Sequence, residues 1–205
     1  MPTLTTTDLR RTHRAVWTAP DEPALVVVPP LRYLMVDGAG DPRTAPAYTE
    51  AVQTLYAASY GVRGLVKEAG GVPWTVMPLE GLWWTEDMAT FSTDHRDDWL
   101  WTMLLAQPDP VTPELVAQAV DAAERKGKAP AARRLRLETL DEGECAQVLH
   151  RGPYSAEGPT VERLHAFVEA SGRTLRGTHH EVYLSDQRRV APERMRTIVR
   201  QPVGP

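Results

Sequence analysis

One order of apolar patterns runs twice along the chain, and this recurrence constrains the fold more than any other feature. In the first pass ALVVVPPLRYLMVDGAG, from Ala24, is rich in strand formers, broken at Pro29-Pro30 and closed by glycines. Val52, Leu55, Ser59, Val62 and Leu65 or Val66 then recur at spacings of three and four, which predicts an amphipathic helix over 46–67, stopped by Gly70-Gly71 and Pro73. Two aromatic-rich strands follow in WTVMPLEGLWWTED (74–87) and DDWLWTMLLAQPDP (97–110), joined by a polar loop through Thr90 and Asp94.

A connecting helix is expected at 112–126, with Thr112 as N-cap and Pro113 at its first position; KGKAPAA is the linker beyond it. The order then repeats. RRLRLETL and ECAQVLHRGPY read as strands, PTVERLHAFVEASG as a helix closed by Gly172, and HHEVYLSD and MRTIVRQPV as the last strands. Glu80 and Glu181 open matching strands, and QPDPV and QPV end the two last ones. The preferred reading is an internal duplication: an α+β fold of two strand-helix-strand-strand units (24–110 and 133–203) in pseudo-twofold relation. It has an antiparallel sheet, helices on one face, and a central ligand cleft where the halves meet. Residues 1–22 are polar and form an N-terminal arm, leaving a single domain over 23–205.

Composition removes several function classes. The 42% hydrophobic content over 205 residues suffices for a buried core. No apolar run reaches the roughly 20 residues of a membrane span, and the start lacks the apolar centre of a secretory signal. The expectation is a soluble, cytoplasmic protein. A formal charge of −4 with no sustained basic stripe gives no footprint for nucleic acid; RRLR at 133–136 decorates an exposed strand face. Cys145 is the single cysteine, expected to serve as a small core hydrophobe. His179 and His180 are adjacent and point oppositely on a strand, with no metal-ligand spacing nearby. GAG at 38–40 is a turn, not a phosphate cradle. No metal and no cofactor are expected.

The informative stretch is GTHHEVYLSD, residues 177–186. Glu181 sits among strand formers, where an unpaired carboxylate is costly. Alternation puts Glu181 and Tyr183 on one face and Val182 and Leu184 on the other, the latter to pack on the helices. Glu80, Leu82 and Trp84 share a face of their strand with Trp83 opposite, and Trp99 and Trp101 share a face of the next. On the bland reading Glu181 is solvated or salt-bridged and the tryptophans are core.

LRYLMVDGAGDP, VMPLEGLWW, LHRGPYSAEGPTVERLHAFVEASG and HHEVYLSD, followed by Arg188-Arg189 and PERMRTIVRQPV, together resemble the GyrI-like small-molecule-binding superfamily, most of all its stand-alone branch with the EGLWW segment. The resemblance covers residues 24–203. It implies a duplicated fold with a hydrophobic cleft, used for drug sensing in multidrug-responsive regulators and, in some stand-alone members, for detoxifying hydrolysis of cyclopropane-bearing genotoxic compounds. The 22 residues before the core are too few for a helix-turn-helix domain, and Gln187 stands where many relatives have Pro.

Carried over, the resemblance implies an aromatic cleft lined by Trp84, Trp101, Trp99, Trp83, Glu80, Leu82, Tyr154 and Met35. Glu181 would be the general base that activates water, with Tyr183 positioning the substrate. The ligand would be a small aromatic molecule. The alternative is a non-catalytic sensor or sequestering protein for cationic lipophilic aromatics; a third reading, after the superfamily's gyrase-inhibitor members, is a protein partner, for which no residue argues.

Overall fold

The computed structural model describes residues 8–86 and 95–205; the loop expected through Thr90 and Asp94 lies outside them. The chain is α+β with antiparallel strand pairing, and it divides into two units that interleave along the sequence.

The first unit takes in Leu31–Met77 and Trp84–Leu140, with the short helix α1 (Leu9–Thr12). Its sheet holds β2 (Leu31–Ala39) between β4 (Leu100–Gln107) and β5 (Arg136–Leu140). Helix α2 (Pro46–Glu68) covers β2 and β4, burying Leu55, Ser59, Val62 and Val66 of the expected stripe, while Val52 is half-buried. Buried polar side chains of α2 are satisfied: Ser59 Oγ accepts from Gln107 Nε2 at 3.2 Å, and Thr54 Oγ1 from the Ala131 amide at 3.0 Å. Helix α3 (Pro113–Glu124) is capped by Thr112 as its sequence predicts. Gly38 faces Trp101 across the β2–β4 pair, and a Cβ there would lie 2.0 Å from the indole ring. The glycine thus makes the seat for Trp101, which is wholly buried.

The second unit takes in His13–Pro30, Pro78–Trp83 and Asp141–Pro205. Its sheet runs in the order β1 (Ala24–Val28), β6 (Gly143–Arg151), β9 (Arg196–Gly204), β8 (His179–Tyr183), β3 (Glu80–Trp84); the two-residue β7 (Thr174–Leu175) pairs with β9. Helix α4 (Gly158–Ala170) packs Leu164 and Val168 against Ala146, Val148, Val199 and Val203.

The compact units therefore cut across the two sequence passes. Strand β1 of the first pass pairs with β6 of the second, and β5 of the second pairs with β2 of the first. The exchange is reciprocal. Helices α2 and α4 also end alike: Gly70 and Gly172 take positive φ (78° and 68°), and the following amides of Gly71 and Arg173 reach back to Val66 and Val168 carbonyls at 2.9 and 3.1 Å. Among the described residues of WTVMPLEGLWWTED, only Glu80–Trp84 is strand. The segment before it carries Pro73 and Pro78, which lack ladder donors.

Candidate functional site

Strand β8 carries two different chemistries on its two faces. Register fixes them: Glu181 lies opposite Gly81 on β3 and Val199 on β9, so Glu181 shares a face with Val199 and hence with α4. Val182, expected to pack on the helices, lies on the other face. The sequence pattern gives the alternation but not its sign, because both faces of this strand are covered.

On the face away from α4, His180 is wholly buried between two carboxylates. Its Nδ1 is 2.9 Å from Glu142 Oε1, and its Nε2 is 3.0 Å from Glu80 Oε2. Arg200, directly across from His180 on β9, donates to Glu142 Oε2 at 3.2 Å and to Gln147 Oε1. The segment Arg14–Trp17 closes this network. Trp17 Nε1 donates to Glu80 Oε1 at 3.0 Å, Arg200 donates to the Val16 carbonyl, and Gln147 Nε2 donates to the Ala15 and Thr18 carbonyls. Burial opposes charge on His180, but the Glu142 carboxylate and hydrogen bonds to Glu142 and Glu80 raise its pKa to about 9. Burial likewise opposes charge on Glu142, and the His180 and Arg200 cations overcome it, holding that carboxyl down to about 2. His180, Arg200, Glu142 and Glu80 thus satisfy one another with the Arg14–Trp17 segment.

On the α4 face the balance differs. Glu181 Oε1 is 3.2 Å from His179 Nε2, with 16% of the Glu181 side chain exposed. Burial works against its charge, but hydrogen bonds from His179 and Tyr183 and the His179 charge lower its pKa, so Glu181 is an anion. Its neighbour is Glu157, on the turn before α4. Glu157 occupies the N-cap position, yet its backbone is already helical and its side chain caps nothing. The Glu157 carboxyl is buried, with Oε1 lacking a hydrogen-bond partner among the described residues. Burial and then the Glu181 charge push its pKa up to about 9. At neutral pH the pair is one carboxylate and one carboxylic acid. His165 on α4 is held below its usual pKa by burial and by His179, so it stays neutral.

Aromatic side chains adjoin the pair. Trp83 Nε1 donates to the Tyr183 hydroxyl at 2.9 Å, and the Tyr154 and Tyr183 rings meet edge to face at 5.4 Å. Gly81 makes room for this contact, since a Cβ there would fall 2.7 Å from Trp83 Nε1 and 3.0 Å from the Tyr183 hydroxyl.

The family model of the GyrI-like small molecule binding domain matches residues 21–203. The chain belongs to this family. This GyrI-like domain is similar over its length to three solved structures from Listeria innocua. One, an uncharacterized conserved protein, is 39% identical with a TM-score of 0.89, covering 96% of this chain and 99% of the other. The other two are described as hydrolases: 38% identical with a TM-score of 0.87, covering 98% and 100% of the two chains, and 37% identical with a TM-score of 0.84, covering 96% and 99%. No curated protein matches the GyrI-like domain.

Of the residues that the sequence nominates, Glu181, Tyr183, Trp83 and Tyr154 come together on the α4 face. Glu80 is on the opposite face inside the ion network, and Leu82 shares that face, half-buried. The first unit holds the rest. Trp101 is buried edge to face with Tyr48 at 5.5 Å and donates to the Gly40 carbonyl; Met35 is buried with its Sδ 3.9 Å from Arg136; Trp99 lies under the Arg96 guanidinium; Trp84 is half-buried at the end of β3. Sequence reasoning nominated neither Glu157 nor His179 for this site. A glutamate immediately before Gly158-Pro159 was the available signal, because helix N-caps favour Ser, Thr, Asp and Asn, and a Glu there caps poorly.

Proposed function

We propose that this GyrI-like domain hydrolyses small aromatic electrophiles, with Glu181 as the base that activates water and Glu157 as the acid. The observation that carries the reading is the split pair: adjacent buried carboxyls, one ionised and one held neutral up to about pH 9, beside Tyr183, Tyr154 and Trp83. Pairs driven apart in this way are suited to acid and base roles in one step. The likeness to two proteins described as hydrolases adds weight.

A strained cyclopropane conjugated to a carbonyl is a substrate class that these groups can serve. Water attacks the ring CH₂, forming a C–O bond as the strained C–C bond breaks, and the released electron pair moves to the carbonyl oxygen. Glu181 takes the proton from the water, and Glu157 gives its own to the new oxyanion. The products are an alcohol and an enol or phenol. Passing the proton from Glu181 to Glu157 restores the starting state, and the two carboxyls are close enough to interact by hydrogen bonding.

The test uses the full chain with Glu181→Gln and with Glu157→Gln, following turnover of a cyclopropane-bearing aromatic by mass spectrometry and binding by tryptophan fluorescence. Each variant is expected to bind within a few-fold of the parent, with turnover about 10²- to 10⁴-fold slower. Parental turnover in Glu181→Gln overturns the reading. An ionised Glu181 beside aromatic rings also favours a second reading, binding of cationic aromatics. In that case the parent turns nothing over, and Glu181→Gln loses affinity for cations by about 3–5 kcal/mol while neutral analogues bind as before.

A further inference from the structure

The second unit also has an open cleft of about 540 Å³ at the end of β6 and β9, apart from the carboxyl pair. Its origin is visible in the register. Arg151 ends β6 and Arg196 opens β9, and the two face each other across the pair, so both guanidinium stems leave the same face at the same place. Like charges directly opposite are unfavourable in a sheet unless something else uses them. The turn after Asp186 adds Arg189, and the short turn Pro192–Arg194 adds Arg194. Four arginines thus line the cleft against one carboxylate, Glu193, in a chain whose formal charge is −4.

Two of the four are already claimed from outside the lining: Asp21 lies 2.8 Å from Arg151 and Asp186 3.5 Å from Arg189. The Arg194 and Arg196 side chains have no hydrogen bond or ion pair among the described residues. Ser185 Oγ accepts from the Arg196 amide, which leaves its own O–H to donate into the cleft. Buried Met195 and half-buried Val190 supply an apolar patch beside these donors.

We propose that this cleft is a second small-molecule site, for a dianionic phosphate or carboxylate group borne on a small apolar body. Two unclaimed guanidinium forks match two negative charges, and planar forks pair with oxyanions more specifically than ammonium groups do. A concave surface focuses the field of its arginines. The volume suits a small ligand, since such sites commonly span roughly 300–1,000 Å³. Met195 and Val190 select an organic anion over a bare one.

The experiment is calorimetric titration of the full chain with inorganic phosphate, phenyl phosphate and phthalate at low and high salt, for the parent, Arg194→Gln and Arg196→Gln. Saturable binding of phenyl phosphate, phthalate or both is expected. It should be weakened by salt, at least several-fold tighter than for inorganic phosphate, and reduced about tenfold by either substitution. The phosphate and carboxylate arms say which oxyanion is preferred. Both arginines are at the surface, so unchanged urea midpoints show that the variants fold. Absence of saturable binding, or binding that both substitutions leave intact, overturns the site; equal affinity for inorganic phosphate overturns the apolar selection. Glu181→Gln should bind these anions as the parent does, which separates this result from the fate of the hydrolase reading.

Discussion

Adjacent residues of β8, His180 and Glu181, head two buried ionic clusters that obey opposite rules. Around His180, Glu80 and Glu142 are matched by His180 and Arg200, and the segment Arg14–Trp17 satisfies what remains. Around Glu181, which His179 already pairs, a second carboxyl is pressed in from the turn before α4, and Glu157 keeps its proton. A closed network of paired charges holds structure together. A like-charged pair stores a cost that folding alone does not require, and such costs collect where chemistry is done.

The comparison breaks most visibly if Arg200 is replaced. Arg200→Met should leave Glu142 facing His180 without its second cation and cost about 3–5 kcal/mol in urea denaturation. A loss under 1 kcal/mol would mean that the network is not what fixes the Arg14–Trp17 segment.

Replacing Glu157 should act in the other direction. Its folded pKa, about 9, lies above the usual 4.5, so the folded state holds a proton that the unfolded chain releases, and stability falls as pH rises between those values. Glu157→Gln removes that loss and should stabilise the protein by about 1–3 kcal/mol at neutral pH. A variant less stable than its parent at pH 7 would make Glu157 a structural residue.

The His180 network has its own pH signature. His180, raised from 6.5 to about 9, contributes fully below pH 6.5 and loses its contribution as pH rises through about 9. Glu142, lowered from 4.5 to about 2, contributes fully above pH 4.5 and loses its contribution as pH falls through about 2. In the Glu157→Gln background thermal stability should therefore decline as pH rises from 6.5 through about 9, and His180→Gln should abolish that decline.

Smaller effects sharpen the contrast. Gly81→Ala drives a methyl against Trp83 and Tyr183 and should cost about 1–3 kcal/mol, with altered tryptophan emission. Cys145, whose thiol burial and then the Glu142 charge push up to about 12, should resist thiol reagents at pH 8 until the chain unfolds. Labelling of the native protein would show that the β6 side of the network opens.

The sequence by itself determined the elements. Spacings of three and four gave α2, Gly70 and Gly172 gave the ends of α2 and α4, Thr112 gave the start of α3, and strand formers gave β2, β4, β6, β8 and β9, because these depend on neighbours within a turn or two. It also singled out Glu181, Tyr183, Trp83 and Tyr154, through the family pattern. Only the tertiary structure decided that β1 and β5 change places between the two passes, that Trp101 fills the space above Gly38, and that Glu80 belongs with His180. Glu157 and Glu181 are far apart in the chain, and local pattern carries no information about which distant carboxyl a register will press against another.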